Sequence, residues 1–187
     1  RLHAATILGL TNVLGSTLTR VSRVYICPQS GPEIGVAATK TFTAQLSTLA
    51  QLALRLAKKR GKISHKEMEW LEEKMEKIPD AVETILTTQE KRIRQIAKKY
   101  KDQKFFLFLG RGISLATARE GTLKLLETNY IPSMAFPAGE KEYGPMSLVE
   151  KNFPMFFICP RDETYEKVIE DIKEMKTQGA SIIAIIE

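Results

Sequence analysis

The chain has 187 residues, of which 43% are hydrophobic and 27% are charged, and it carries a net charge of +6. This composition is typical of a globular protein that buries a sizeable core. No apolar run approaches the roughly 20 residues of a membrane helix, and no signal peptide is recognisable, so we expect a cytoplasmic protein that does not bind a membrane.

The few cysteines and histidines argue against a disulfide framework and a metal site. Cys27 and Cys159 each lie inside an apolar, strand-like segment, which favours a reducing compartment and buried thiols. His3 and His65 are far apart and no CxxC occurs, so no metal-binding cluster can be assembled locally.

The positive charge is concentrated in two runs, Lys58–Arg60 and Lys91–Lys101. Both lie on helical patterns whose other face is apolar, and no aromatic residues interleave with them as a stacking platform for single strands would require. We therefore interpret them as solvated helix faces and expect no nucleic-acid partner, which stays a minor alternative.

The first 61 residues are predicted to be the C-terminal part of an α/β lobe. Short apolar runs indicate buried strands at Ala5–Thr11 and Val24–Pro28. A Gly/Pro-punctuated loop, Gln29–Lys40, precedes a helix whose end is indicated by Gly61 after a basic last turn. The apolar stripe of that helix, at spacings of three and four, consists of Phe42, Leu46, Leu49, Ala53 and Leu56.

Residues 62–101 are predicted to be a helical connector. Ser64 and Glu67 form an S-x-x-E capping box that opens one helix. Pro79-Asp80 ends this helix and starts a second one, which runs to Tyr100. This segment is charged and free of strand patterns, so we interpret it as a link between two lobes.

Residues 102–187 are predicted to be the N-terminal part of a second α/β lobe. Strands are indicated at Lys104–Leu109, Met155–Cys159 and Ser181–Ile186, and helices up to about Asn129 and over Glu163–Lys176. The segment MAFPAGEKEYGP is predicted to be a loop that leads to a short helix. Alternating strands and helices predict parallel sheets flanked by helices. The alternation stops abruptly at both ends, so we expect a chain truncated at both ends.

The helix that follows Gly110-Arg111-Gly112 carries the candidate catalytic residues. Glu120, Lys124 and Glu127 occur at i, i+4 and i+7, so their side chains share one stripe. In isolation, such a stripe is often an exposed ladder of ion pairs. However, the first turn of this helix is expected at the carboxyl edge of the sheet, where open α/β folds bind ligands.

Three segments carry a family resemblance: GPEIGVAATKTFTAQL, LGRG…EGTLKLLE and FPAGEKEYGPMSLVE. In this order they resemble the sugar isomerase (SIS) half of the glutamine–fructose-6-phosphate aminotransferase family, over essentially the whole chain. The resemblance implies two lobes with flavodoxin-like sheets. It also implies the conversion of fructose 6-phosphate and ammonia into glucosamine 6-phosphate without a cofactor. Implied partners are a second copy of the chain, in a homodimer, and a glutaminase domain, absent from this sequence, as the source of ammonia.

The resemblance also implies residue roles. Glu127 matches the base that moves a proton between C1 and C2 of the sugar, Lys124 the lysine that assists it, and Glu120 the neighbouring carboxylate. This agrees with the chemistry, because a 1,2-proton transfer requires a carboxylate within reach of two adjacent carbons. Val36 matches a backbone contact to the sugar. The family's phosphate loops and Schiff-base lysine are expected outside these 187 residues.

One family motif is altered at a functional position. The family reads GELKHGP, where the histidine helps to open the sugar ring, whereas this chain reads GEKEYGP and has Tyr143 there. Tyrosine ordinarily has a pKa of about 10 and histidine of about 6.5, so tyrosine is a poor base near neutrality. This leaves open another SIS enzyme, such as a hexose-phosphate isomerase or a glucosamine-6-phosphate deaminase, or a regulatory module that only binds a sugar phosphate. The trio Glu120, Lys124 and Glu127 argues against a pure binder.

Overall fold

The computed structural model describes residues 6–186, with only the backbone described at Pro145. The chain divides into two compact units, Arg1–Lys91 and Arg92–Glu187. The three-part division predicted above, at residues 1–61, 62–101 and 102–187, stays a prediction. Among the described residues, no helix combines the length and the apolar content needed to cross a bilayer.

The first unit contains a two-stranded parallel sheet. Strands β1 (Leu8–Leu10) and β2 (Val24–Ile26) are connected by helix α1 (Thr17–Val21) and pair in register from Leu8 opposite Val24. Both strands lie inside the predicted apolar runs, although Ala5 lies outside the described residues. Helix α2 (Lys40–Lys59) begins where the predicted loop ends.

The end of α2 follows the predicted glycine stop. Gly61 has a φ of +63°, and the Lys62 amide donates to the Ala57 carbonyl at 2.8 Å, which satisfies a carbonyl of the last turn. The apolar stripe of α2 is only partly covered within this chain, since Leu46 is 52% and Leu49 49% exposed.

Helices α3 (His65–Glu76) and α4 (Ile78–Tyr100) occupy most of the segment 62–101. The capping box is present, because the Ser64 amide donates to Glu67 Oε2 at 2.8 Å and the Glu67 amide donates to Ser64 Oγ at 3.2 Å. Pro79 lies in the first turn of α4, where its missing N–H costs no helical hydrogen bond.

The second unit is built around a four-stranded parallel sheet in the order β4-β3-β5-β6. The chain passes from β3 outward to β4 and then returns to the other side of β3, which is the flavodoxin-like order. This confirms the predicted fold class of parallel sheets flanked by helices. Its elements are β3 (Phe106–Gly110), α5 (Ser114–Asn129), β4 (Ser133–Pro137), β5 (Pro154–Cys159), α6 (Tyr165–Thr177) and β6 (Ser181–Ile186).

The prediction of a loop at the start of MAFPAGEKEYGP was wrong, because Ser133–Pro137 forms the edge strand β4. This strand pairs with β3 alone, from Ser133 opposite Phe106 to Pro137 opposite Gly110. An edge strand tolerates a proline at its end. The following segment contains two short 3₁₀ turns, Ala138–Glu140 and Pro145–Leu148.

The core of the second unit lies on both faces of β3. Alternate residues of the strand point to opposite faces, so Leu107 and Leu109 pack with residues of α6, and Phe106 and Phe108 pack with Ala118 of α5. Phe108 also stacks on the ring of Phe156 with ring centroids 4.4 Å apart. Burial on both faces explains why this strand is a continuous apolar run.

Cys159 confirms the prediction of a buried thiol, whereas Cys27 is only partly buried. Burial raises the pKa of the Cys159 thiol, and the nearby carboxylates of Asp162 and Glu166 raise it further. Cys159 is therefore held in the unreactive thiol form.

Candidate active site

Lys124 bridges the two candidate carboxylates on α5. Its Nζ lies 2.6 Å from Glu127 Oε2 and 3.2 Å from Glu120 Oε1, and all three side chains are between 21% and 28% exposed. The hydrogen bond to Glu127 raises the pKa of Lys124 above its ordinary 10.5, and Glu120 adds to this although partial desolvation acts in the opposite direction. The cluster therefore holds one proton-bearing ammonium between two proton acceptors.

The trio does not lie at the start of its helix. α5 begins at Ser114, just after the turn at the carboxyl end of β3, as expected. At 1.5 Å per residue, however, Glu127 lies about 20 Å along the helix from Ser114. An open depression of about 480 Å³ follows α5 from Gly112 to Leu123 and includes Glu120. The stripe thus extends along the helix, away from the carboxyl edge of the sheet.

Two glycines shape the turn between β3 and α5. A Cβ at Gly110 would lie 2.5 Å from the Ser114 carbonyl oxygen, so only glycine allows the strand to approach the helix this closely. Gly112 has a φ of +51°, in the left-handed region that other residues rarely adopt. The geometry of this turn places α5, which carries the trio, against the sheet.

The loop that contains Val36 is organised by Glu33 in the first unit. The Glu33 carboxylate accepts hydrogen bonds from the Thr41 hydroxyl at 2.6 Å and from the amides of Thr39 and Thr41 at 3.1 Å each. These bonds, led by that of the Thr41 hydroxyl, lower the pKa of Glu33 to about 2. Lys40 Nζ lies 3.1 Å from Glu33 Oε1.

Glu33 thus caps the start of α2 by accepting hydrogen bonds from its first amides. The side chain of Thr39, the N-cap residue, makes no capping hydrogen bond. Val36 lies in the loop that Glu33 ties to α2, and it is 90% exposed. Glu33 was not predicted as a functional residue from the sequence. There was little signal for Glu33 in the sequence, because Thr39 is itself a favoured N-cap residue and only the structure shows that its side chain does not cap α2.

A second depression, of about 880 Å³, lies at the carboxyl ends of β1 and β2 and beside the start of α2. Asn12 ties its walls together, because Asn12 Nδ2 donates to the Gly31 carbonyl at 2.6 Å and the Ser30 amide donates to Asn12 Oδ1 at 3.0 Å. Its polar lining includes Thr11, Gln29, Glu33 and Thr41. This position matches the ligand-binding edge of open α/β sheets.

Tyr143 lies in the turn between the two 3₁₀ segments and its side chain is 83% exposed. Its amide donates to the Glu140 carbonyl at 3.0 Å. Among residues 6–186, no hydrogen bond or ion pair joins Tyr143 to Lys124, Glu120 or Glu127. The structure therefore joins the trio by ion pairs, whereas Tyr143 is not directly bonded to it.

A buried ion cluster, also not predicted from the sequence, lies close to Tyr143 in the chain. Lys141, 6% exposed, and Asp171, 4% exposed, form an ion pair with 2.7 Å between Nζ and Oδ1. Glu174 Oε2 lies 3.0 Å from the same ammonium, and Arg111 Nη2 lies 3.1 Å from Asp171 Oδ2. The partners are at least 30 residues apart in sequence, except for those on α6, so no local pattern indicated the cluster. Within the described part of the chain, no group of His, Cys, Asp and Glu residues could hold a metal ion.

Comparison with known proteins supports the resemblance. Residues 99–187 match the SIS domain model. The glutamine–fructose-6-phosphate aminotransferase (isomerizing) of Thermococcus kodakarensis is 42% identical over 183 residues, and that of Thermotoga maritima is 39% identical over 183 residues. Each match covers 98% of this chain and 30% of the relative, so the chain spans about 30% of the length of these curated relatives.

Comparison with solved structures supports the same resemblance. The C-terminal domain of glucosamine-fructose-6-phosphate aminotransferase from Francisella tularensis superimposes with a TM-score of 0.92 and 35% identity, covering 96% of this chain and 50% of that one. Glucosamine-6-phosphate deaminase from Thermotoga maritima shares the fold, with a TM-score of 0.66 and 22% identity over 95% of this chain and 51% of that one. Residues 99–187 of this chain therefore form a SIS domain, and nearly the whole chain is similar to glutamine–fructose-6-phosphate aminotransferases.

Proposed function

We propose that this chain is the isomerase part of a glutamine–fructose-6-phosphate aminotransferase, which forms glucosamine 6-phosphate from fructose 6-phosphate and ammonia. The observation that carries the proposal is the cluster of Glu120, Lys124 and Glu127 on α5. It is supported by relatives of that name that match 98% of the chain. A glutaminase domain as the ammonia source, a homodimer and a cytoplasmic location belong to the same proposal.

The reaction requires one proton to move between adjacent carbons. Ammonia adds to the C2 carbonyl of the open-chain ketose and water leaves, which gives an imine. A base then removes a proton from C1, and a proton returns to C2, so that C2 becomes the amine-bearing carbon and C1 becomes the aldehyde. The sum is fructose 6-phosphate plus ammonia giving glucosamine 6-phosphate plus water.

Glu127 is the residue that we assign to this proton transfer. Lys124 holds Glu127 Oε2 at 2.6 Å, so Oε1 is the oxygen assigned to the C1 and C2 protons. We assign to the ammonium of Lys124 the stabilisation of negative charge that develops on the sugar oxygens during the transfer. Glu120 holds Lys124 from the preceding turn at 3.2 Å and keeps it oriented.

Two further residues are assigned on the family resemblance. The backbone of Val36, in the loop tied down by Glu33, is proposed to contact the sugar. Tyr143 occupies the position of the ring-opening histidine, and we assign it to the ring-opening step. Tyrosine is a less efficient base than histidine near neutral pH, so this step should be slow.

The test is proton transfer to the sugar in the Glu127→Gln variant, measured in the full-length protein. With the unmodified protein, fructose 6-phosphate and ammonia in deuterated water should give glucosamine 6-phosphate that carries deuterium at C2, and Glu127→Gln should slow this by about 10²- to 10⁴-fold. Glu170→Gln, which makes the same change at an exposed position on α6, should exchange normally. Near-normal exchange in Glu127→Gln would remove Glu127 from the mechanism.

A second candidate function is a different SIS reaction, favoured by Tyr143 and by the shared fold of glucosamine-6-phosphate deaminase. The products distinguish the candidates. A synthase forms glucosamine 6-phosphate only when ammonia or glutamine is supplied. A hexose-phosphate isomerase forms an aldose phosphate without ammonia, and a deaminase releases ammonia from glucosamine 6-phosphate. A regulatory module binds the sugar phosphate and turns over none of these substrates.

A further inference from the structure

The buried ammonium of Lys141 lies at the entrance to the turn that carries Tyr143. Lys141 directly follows the 3₁₀ turn Ala138–Glu140, and its side chain is 7% exposed. A buried lysine is unfavourable unless it is paired and hydrogen-bonded. Burial alone would lower the pKa of Lys141, but hydrogen bonds to Asp171 and Glu174 outweigh it and raise the pKa above the ordinary 10.5. The side chain is therefore a fixed positive charge at this site.

Asp171 connects two turns at the carboxyl edge of the sheet. Its Oδ1 accepts a hydrogen bond from Lys141 Nζ at 2.7 Å, and its Oδ2 accepts from Arg111 Nε and Nη2 at 3.2 and 3.1 Å. Arg111 follows β3 and Lys141 follows β4, and these strands are parallel, so both turns lie at the same edge. The Arg111 guanidinium also lies against the backbone of Gly139, where an added Cβ would meet it at 2.9 Å.

Two backbone hydrogen bonds join the turn to Glu140 and Lys141, the residues at its start. The Tyr143 amide donates to the Glu140 carbonyl at 3.0 Å, and the Met146 amide donates to the Lys141 carbonyl at 2.9 Å. Since the Tyr143 side chain is 83% exposed, these backbone hydrogen bonds position it more than packing of its ring does. The orientation of residues 141–146 therefore depends on where Lys141 is held.

We propose that Lys141 is a positioning residue, whose buried ion pair with Asp171 fixes the turn 141–146 and thereby places Tyr143 at the carboxyl edge of the sheet. In the motif GELKHGP the corresponding position is leucine, which needs no charged partner. This chain differs from that motif at three consecutive positions, 141–143, and its lysine at position 141 is paired with Asp171 and Glu174. The assignment of Tyr143 to the sugar rests on the proposed function, whereas the positioning of the turn does not.

The first measurement is amide hydrogen exchange in the unmodified protein and in Lys141→Leu. Loss of the charged hydrogen bonds should speed exchange of the Tyr143 and Met146 amides by about ten- to a hundredfold, while amides of β5 remain protected. Lys167→Met removes an exposed lysine from α6 and should change neither set. Unchanged exchange at Tyr143 and Met146 in Lys141→Leu, or equal acceleration in β5, would overturn the proposal.

A double-mutant cycle shows whether Lys141 acts through Asp171. In an Asp171→Asn background, where Arg111 still has an oxygen to bond, Lys141→Leu should add little further acceleration. Additive effects would refute the coupling. If Lys141→Leu alone does not fold, the double variant can still be compared with Asp171→Asn. In the double variant, no buried carboxylate at position 171 is left without a lysine partner.

Catalysis provides an independent readout. For the proposed reaction, Lys141→Leu should lower kcat by about tenfold or more with little change in KM, because a misplaced turn affects the chemical steps more than substrate capture. An unaltered kcat in Lys141→Leu would show that the position of the turn does not affect catalysis, and would overturn the catalytic part of the proposal for Lys141. If the unmodified protein does not carry out the reaction at all, the proposed function fails, and the exchange measurement still decides how Tyr143 is positioned.

Discussion

Replacing Gly110 by alanine should destabilise the second unit more than the same change at Gly112, two residues away. At Gly110 the new Cβ would lie 2.5 Å from the Ser114 carbonyl oxygen and 2.6 Å from its carbonyl carbon. Ordinary contact begins near 3.4 Å, so strand and helix backbones would have to separate by about 1 Å. At Gly112 a Cβ meets nothing within 4 Å, and only the φ of +51° opposes it.

The two penalties have different sizes and different origins. Overpacking costs about 1–3 kcal/mol, and Gly110→Ala should lie at the upper end because backbone atoms cannot rotate away. A left-handed alanine at position 112 costs about 1–2 kcal/mol. For a unit of this size, about 3 kcal/mol corresponds to a fall in Tm of about 12–24 °C.

Asparagine distinguishes the two origins. It adopts left-handed conformations more readily than alanine, so Gly112→Asn should be milder than Gly112→Ala. At Gly110 a larger side chain makes the clash worse, so Gly110→Asn should be more harmful than Gly110→Ala. Thermal unfolding of the four variants, followed by circular dichroism, measures all of these differences. If Gly110→Ala costs no more than Gly112→Ala, or if asparagine rescues position 110, the close approach of β3 and α5 is not what requires glycine.

Two further predictions concern Glu33 and Tyr143. Because hydrogen bonds from Thr41 and Thr39 hold the pKa of Glu33 at about 2 against an ordinary 4.5, its stabilisation of the α2 start is complete above pH 4.5 and is lost as the pH falls through about 2. The amide chemical shift of Thr41 should therefore titrate near pH 2 and should not do so in Glu33→Gln; identical titrations would contradict this. Tyr143→His should raise turnover of fructose 6-phosphate with ammonia and add a rate dependence near about pH 6.5, since the exposed position suits an imidazole base. Steady-state kinetics between about pH 5.5 and 8.5 test this, and unchanged or lower turnover throughout would show that position 143 does not open the ring.

Local patterns in the sequence predicted those elements whose cause is local. The capping box of Ser64 and Glu67, the glycine stop at Gly61 and the apolar run Ser181–Ile186 each depend on neighbouring residues, and the structure has all three. Strand β4 was missed because its five residues end in Pro137 and are soon followed by Gly139, and because it pairs with β3 alone. An edge strand held by one neighbour leaves a weak trace in its own sequence.

The candidate site was predictable to a similar extent. Glu120, Lys124 and Glu127 are brought together by helical spacing alone, which a sequence shows directly. By contrast, Lys141 meets Asp171 only because the fold brings a turn after β4 against α6. Glu33 is intermediate, since its partners are six to eight residues away but the loop that joins them has no regular period. Irregular loops and contacts between distant segments depend on tertiary structure. For this reason the supporting residues Glu33, Lys141 and Asp171 were missed, whereas the candidate catalytic residues on α5 were found.

The central position of β3 has consequences for the order in which the second unit can fold. β4 follows β3 closely, but Leu107 meets its other partner, Met155, only after about fifty further residues have been synthesised. Until then, one edge of Phe106–Gly110 presents unpaired amides and carbonyls beside large apolar side chains, which is the kind of edge that pairs with other chains. A pause in translation just before residue 154 would therefore leave the nascent chain prone to aggregation, and the ion pair between Lys141 and Asp171 can form only after this stage has passed.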